Sequence, residues 1–156
     1  MKERDRKQLL ARYGRMYSWY EFERMPGGFG CFYCAEPADT MDHCPPLSQV
    51  ECMRMSDWRR RGVKFWKIPA CMHCNTILGN RLLVTPFERL RRVEAELLDR
   101  FERKSVVWTD EEIAEMSPEF QRTIRARMSG VNILLGRVRA AQWRYVRESS
   151  RELEEA

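Results

Sequence analysis

The spacing of four cysteines limits this chain more than any other feature. Cys31-Phe32-Tyr33-Cys34 and Cys71-Met72-His73-Cys74 are Cys-x-x-Cys pairs, each able to grip one side of an ion, and together they supply a tetrahedral donor set. Four thiolates leave no position for water, so a zinc ion held by Cys31, Cys34, Cys71 and Cys74 would staple the fold and take no part in hydrolysis. The competing reading is a pair of buried or redox-active dithiols. Cys44 and Cys52 have no partner at metal-ligand spacing and read as small buried thiols. Six cysteines could also make three disulfides in a secreted miniprotein, but Met1–Arg6 has no apolar stretch after a basic one. No window approaches the roughly 18 apolar residues of a membrane span. The expectation is a cytoplasmic protein with no membrane contact.

A length of 156 residues with 44% hydrophobic content allows one domain with its own core. Five Trp, five Tyr and seven Phe argue against a disordered chain. The formal charge is +5, carried by 23 arginines and five lysines. Arginine suits bidentate phosphate contacts and stacking, which brings in nucleic acid as a partner.

Leu9, Leu10, Tyr13, Met16, Tyr17 and Tyr20 fall near a 3.6-residue period and predict an amphipathic helix from Asp5 to Met25. Pro26-Gly27-Gly28-Phe29-Gly30 breaks it before the first cysteine pair. Val63–Ile68 reads as a strand ended by Pro69, and a helix opens near Cys71 or Met72 and runs to Leu78, with Gly79 as its stop. Thr85-Pro86-Phe87-Glu88 carries a capping signature for a helix over 86–103, and Thr109–Glu112 repeats it for a short one. Ser117-Pro118 starts a further helix that Gly130 interrupts, followed by a last one over about 131–148. The expected domain is therefore an N-terminal helix (1–25), a zinc-stapled module (26–84) and a C-terminal helical region (85–156).

Asp42-His43-Cys44-Pro45-Pro46 lies between the cysteine pairs, and Asn75 follows the second pair directly. Here residues 31–81 resemble the HNH nucleases, also called ββα-metal or His-Me finger nucleases. The run Cys71-x-x-Cys74-Asn75-x-x-Leu78-Gly79 looks most like the phage recombination endonuclease VII branch. The resemblance implies an α+β, mostly helical fold around a zinc-stapled ββα-metal core. It also implies a metal-dependent DNA endonuclease with His43 as general base and Asp42 and Asn75 holding Mg²⁺ or Mn²⁺; a phage-encoded member would act in the host cytoplasm. The residue chemistry agrees, because a free imidazole titrates near pH 6.5 and hard oxygen donors suit Mg²⁺. On a regular strand Asp42 and His43 would point to opposite sides, so the shared site requires an irregular strand end near Pro45-Pro46. No Asn lies between His43 and Asn75, and Leu78 stands where some relatives carry an acid.

Arg59, Arg60, Arg61, Lys64 and Lys67, with Trp58, Phe65 and Trp66 among them, could follow a phosphate backbone and stack on bases, or form a solvated loop with its aromatics in the core. Arg81 is a candidate phosphate clamp. Leu134, Leu135, Val138 and Trp143 could pack on the zinc module or pair with a second copy as a homodimer. The alternative to the nuclease is a non-catalytic zinc-stabilised module that binds nucleic acid or serves as a protein adaptor.

Overall fold

A computed structural model describes residues 3–21, 30–104 and 108–154. Helix α1 (Glu3–Tyr13) leads through a 3-10 turn (Gly14–Met16) into the short edge strand β1 (Ser18–Trp19). Strand β2 (Thr40–Cys44), a 3-10 turn (Leu47–Cys52) and helix α2 (Met55–Arg60) precede strand β3 (Trp66–Ala70) and helix α3 (Met72–Leu78). Helices α4 (Pro86–Lys104), α5 (Asp110–Ala114) and α6 (Pro118–Glu154) complete the described chain. The result is a mostly helical α+β fold around a small three-stranded mixed sheet.

The sheet order is β1-β3-β2, with β1 parallel and β2 antiparallel to β3. Asp42 pairs with Ile68, His43 with Lys67 and Cys44 with Trp66. Alternation then puts Thr40, Asp42, Cys44, Ile68 and Ala70 on one face and Met41, His43 and Lys67 on the other. The first face packs on α3 and α4 through Ile77, Leu78, Leu90 and Val93. The opposite face turns toward Tyr17, Leu47, Val50, Trp58 and Phe65, a separate cluster closed by Leu9, Leu10 and Tyr13 of α1. Each of these apolar sets is removed from water, the main favourable contribution to folding.

The N-terminal helix is shorter than its periodicity predicts. Leu9, Leu10, Tyr13, Met16 and Tyr17 do share one cluster, but helix ends at Tyr13, just before Gly14, a weak helix former. Beyond it the backbone bonds to the sheet instead: Ser18 N–H donates to Phe65 O at 2.9 Å and Tyr20 N–H to Lys67 O at 3.0 Å. The rest of that predicted helix, 22–25, and the Pro26–Phe29 break lie outside the described residues.

Pro69 also differs from expectation, lying within β3 and not after it. The carbonyls of Phe65, Lys67 and Pro69 all accept from the β1 side, so the nitrogen of Pro69 points that way too. β1 pairs only as far as Lys67, and no ladder donor is missed. Gly79, at φ +53°, caps α3. The capping boxes at α4 and α5 form as read: Glu88 N–H donates to Thr85 Oγ1 at 3.1 Å, and Glu112 N–H to Thr109 Oγ1 at 3.2 Å.

Gly130 does not interrupt the last helix. α6 runs unbroken for 37 residues, because packing along α4 outweighs the roughly 1 kcal/mol a glycine costs in a helix. Val138 and Ala141 are buried there, Leu134 packs on the same core, and Tyr145 stacks on Phe87 at 4.7 Å. Trp143 stays 55% exposed, so only part of the predicted C-terminal face reaches the cysteine-bearing module. Arg137 adds an ion pair to Glu36 at 3.3 Å.

Candidate metal centre and the Asp42 site

The first cysteine pair sits in a tight knuckle. Gly30 bridges to Pro37, Cys31 N–H donates to Glu36 O at 2.6 Å, and Ala35 N–H donates to Cys31 O at 2.9 Å. Ala35 takes a left-handed φ of +60°, an uncommon conformation for a residue with a Cβ that the turn imposes. The second pair opens α3, where Cys71 is the N-cap and its Sγ accepts from Cys74 N–H at 3.4 Å. Met72 N–H donates to Asp39 just ahead of β2, which fixes the helix start against the hairpin.

These two turns bring the sulfurs of Cys31, Cys34, Cys71 and Cys74 within 4.8 Å of one another, all buried. Cys34 Sγ and Cys71 Sγ are 3.7 Å apart. A tetrahedral ion with metal–sulfur bonds of about 2.3 Å needs sulfur–sulfur edges of about 3.8 Å, whereas a disulfide needs about 2.05 Å. All six cysteines are free thiols, and the donor set suits a structural Zn²⁺. Electrostatics point the same way. Hydrogen bonds from Cys34 and Cys74 hold the Cys31 thiol far below its ordinary pKa, while donation to Cys31, together with burial, pushes Cys34 and Cys74 up. Without a cation the cluster holds the Cys31 thiolate readily and resists ionising Cys34 and Cys74; a dication removes that conflict. Of the remaining cysteines, Cys44 is buried as expected but Cys52 is exposed.

Asp42 is not placed as an open metal ligand. It is 3% exposed. Arg89, from α4, donates through Nε to Oδ2 and through Nη2 to Oδ1, both at 2.6 Å. Tyr33 Oη donates to Oδ2 at 2.6 Å. Burial and the Asp42 charge push the Tyr33 phenol well above its ordinary pKa, keeping it a donor. Arg89 also donates to Leu83 O at 3.3 Å. Three charge-assisted or polar bonds take three of the carboxylate's roughly four acceptor positions, and a divalent ion there would meet a guanidinium instead of an open anion.

His43 and Asn75 do not converge. β2 is regular through Cys44, so His43 faces away from Asp42 and meets the edge of Tyr17 at 4.9 Å. Among the described residues no hydrogen bond reaches either imidazole nitrogen. Burial, supported by Lys67, Arg6 and Arg89 against the opposing charge of Asp42, lowers its pKa to about 4. Asn75 lies on the α3 side, where its Nδ2 donates to Thr40 Oγ1 at 2.9 Å and Met41 O at 3.4 Å. It fastens α3 to β2. The irregular strand end on which the shared site depended is absent.

The basic candidates divide. Arg59, Arg60, Arg61 and Lys64 are exposed on α2 and the turn after it, although Arg60 pairs with Asp57 at 2.7 Å. Lys67 is half-buried opposite His43, and Trp58 and Phe65 belong to the core. Arg81 Nη1 donates to Ile77 O at 2.6 Å and so closes the last turn of α3. Arg89 was missed from the sequence, yet it carries a signal: it falls on the same helical stripe as Val93 and Leu97, where a charged residue demands a buried partner.

Comparison with protein-family models, curated proteins and solved structures finds no match to this chain. No helix among the described residues is long and apolar enough to cross a membrane.

Proposed function

We propose that this protein is a zinc-stapled ββα module that binds nucleic acid through the basic surface of α2 and the turn after it, and does not hydrolyse it. Zn²⁺ on Cys31, Cys34, Cys71 and Cys74 closes the two knuckles around β2, β3 and α3 and leaves no coordination position for substrate. The observation that carries this reading is the buried grip of Arg89 on Asp42. It neutralises the one carboxylate that a catalytic cation at this place would need, and His43, with a pKa near 4, is a weak proton acceptor at neutral pH. Exposed Arg59, Arg61 and Lys64 supply the attraction to phosphate, with Arg54 nearby. Fluorescence anisotropy of a labelled DNA duplex across a salt series tests the binding half. Affinity that falls linearly on a log–log plot supports it; no binding at low salt removes it.

A second reading, the metal-dependent HNH endonuclease using Asp42, His43 and Asn75, is favoured by the order β2-β3-α3, with Asp42 and Thr40, the partner of Asn75, on one sheet face. It requires Arg89 to leave Asp42 and His43 to reach the α3 side of the sheet. Mg²⁺- or Mn²⁺-dependent DNA cutting that His43→Ala abolishes would establish it.

A further inference from the structure

The edge of β1, the turn between α2 and β3, the start of α4 and the end of α6 enclose a cleft of about 840 Å³, within the roughly 300–1,000 Å³ usual for ligand sites. Trp66 contributes an aromatic wall. It is partly exposed, Tyr20 braces it edge-on at 5.4 Å, and Lys64 Nζ lies 5.9 Å from its ring centroid. Arg61 lines the same side and is exposed with Lys64. From the opposite side α6 contributes Glu148, Glu152 and Glu154, with Arg151 among them donating to Glu21 O at 3.3 Å. A ligand suited to such a cleft is flat and aromatic, with negative charge at one end only: Arg61 and Lys64 attract it beside Trp66, and the α6 carboxylates turn its charge away from that side.

We propose that this cleft takes an unstacked nucleobase of a single-stranded nucleic acid, stacked on Trp66, with the adjoining phosphate at Arg61 and Lys64. The inference rests on the nucleic-acid reading above and narrows its ligand. A base inside a duplex has both faces covered by its neighbours and cannot present one to Trp66, whereas a single strand can. Duplex DNA would still be attracted by α2, but without the cleft.

The test uses the zinc-loaded full chain with a labelled 12-nucleotide strand of mixed sequence and with the same sequence as a duplex. Trp66→Leu should weaken single-strand binding about tenfold or more and leave duplex binding unchanged. Trp66→Phe should retain most of the affinity, and Lys64→Ala should weaken both ligands. Circular dichroism and zinc content show whether each variant is folded. Because Trp66 also packs against the core, a second measurement uses the wild-type chain: photocrosslinking of a 5-iodouracil-substituted strand should attach at Trp66 or Tyr20. Equal single-strand affinity of wild type and a folded Trp66→Leu variant, or crosslinks only outside the cleft, would overturn the proposal while leaving duplex binding to stand. Absence of binding to either ligand would remove the nucleic-acid reading with it.

Discussion

Arg89 grips Asp42 with two 2.6 Å hydrogen bonds, from Nε and Nη2 along one edge of the guanidinium, in a place where the side chains are 0% and 3% exposed. Breaking one side of such a pair strands a buried charge. Arg89→Met should destabilise the fold by about 3–5 kcal/mol, and Asp42→Asn/Arg89→Met together should cost much less than the sum of the single changes. Urea unfolding of the two single variants and the double variant measures the coupling.

The four-sulfur cluster predicts one tightly held zinc per chain. Elemental analysis of the purified protein should find it, and Cys34→Ser or Cys74→Ser should lose most of it together with protection of β2 and α3 in hydrogen exchange. Because thiolates bind the metal and protons compete for them, zinc should be released as the pH falls. Full protection in the metal-free chain would contradict a stapling role.

His43 predicts an acid sensitivity of its own. Its folded pKa lies near 4, below the free value of 6.5, so the unfolded chain binds more protons between those two values. The part of the stability that depends on a neutral His43 is therefore present above pH 6.5 and is lost as the pH drops toward 4, up to about 3 kcal/mol. Comparing unfolding free energies of wild type and His43→Gln over that window should show a flatter curve for the variant. Zinc release must be followed in parallel, since both effects act in the same direction.

The basic surface predicts that Arg59→Ala/Arg61→Ala/Lys64→Ala lowers DNA affinity and makes the salt dependence shallower by up to about three phosphate contacts, roughly 0.9 log units per log of salt for each. Arg81→Ala, by contrast, should leave DNA affinity unchanged and loosen the end of α3, because its guanidinium is spent on the carbonyl of Ile77. Anisotropy titrations at several salt concentrations separate the two outcomes.

Chemistry is legible in this sequence where the signal is local. The capping residues Thr85 and Thr109, the stop at Gly79 and the cysteine pairs each act over a few residues, and each does in space what its spacing implies. The departures come from contacts distant in sequence. Tyr17 and Tyr20 keep a helical period, but β3 offers their backbone a ladder. Gly130 resembles a break until α4 lies alongside α6. Asp42 resembles an open carboxylate until Arg89, 47 residues later, is folded onto it. The family resemblance puts acid, imidazole and amide in one site, while the regular alternation of β2 sets Asp42 and His43 on opposite faces.

The most direct measurement is incubation of the zinc-loaded protein with supercoiled plasmid, single-stranded DNA and branched DNA in Mg²⁺ or Mn²⁺, beside EDTA and His43→Ala controls. The exposed Arg59, Arg61 and Lys64 predict DNA that is bound and shifted at low salt, and the buried Arg89–Asp42 pair predicts that it remains uncut in every lane. Metal-dependent cleavage that disappears with EDTA and with His43→Ala would contradict it, and would mean that Arg89 releases Asp42 when substrate and metal arrive.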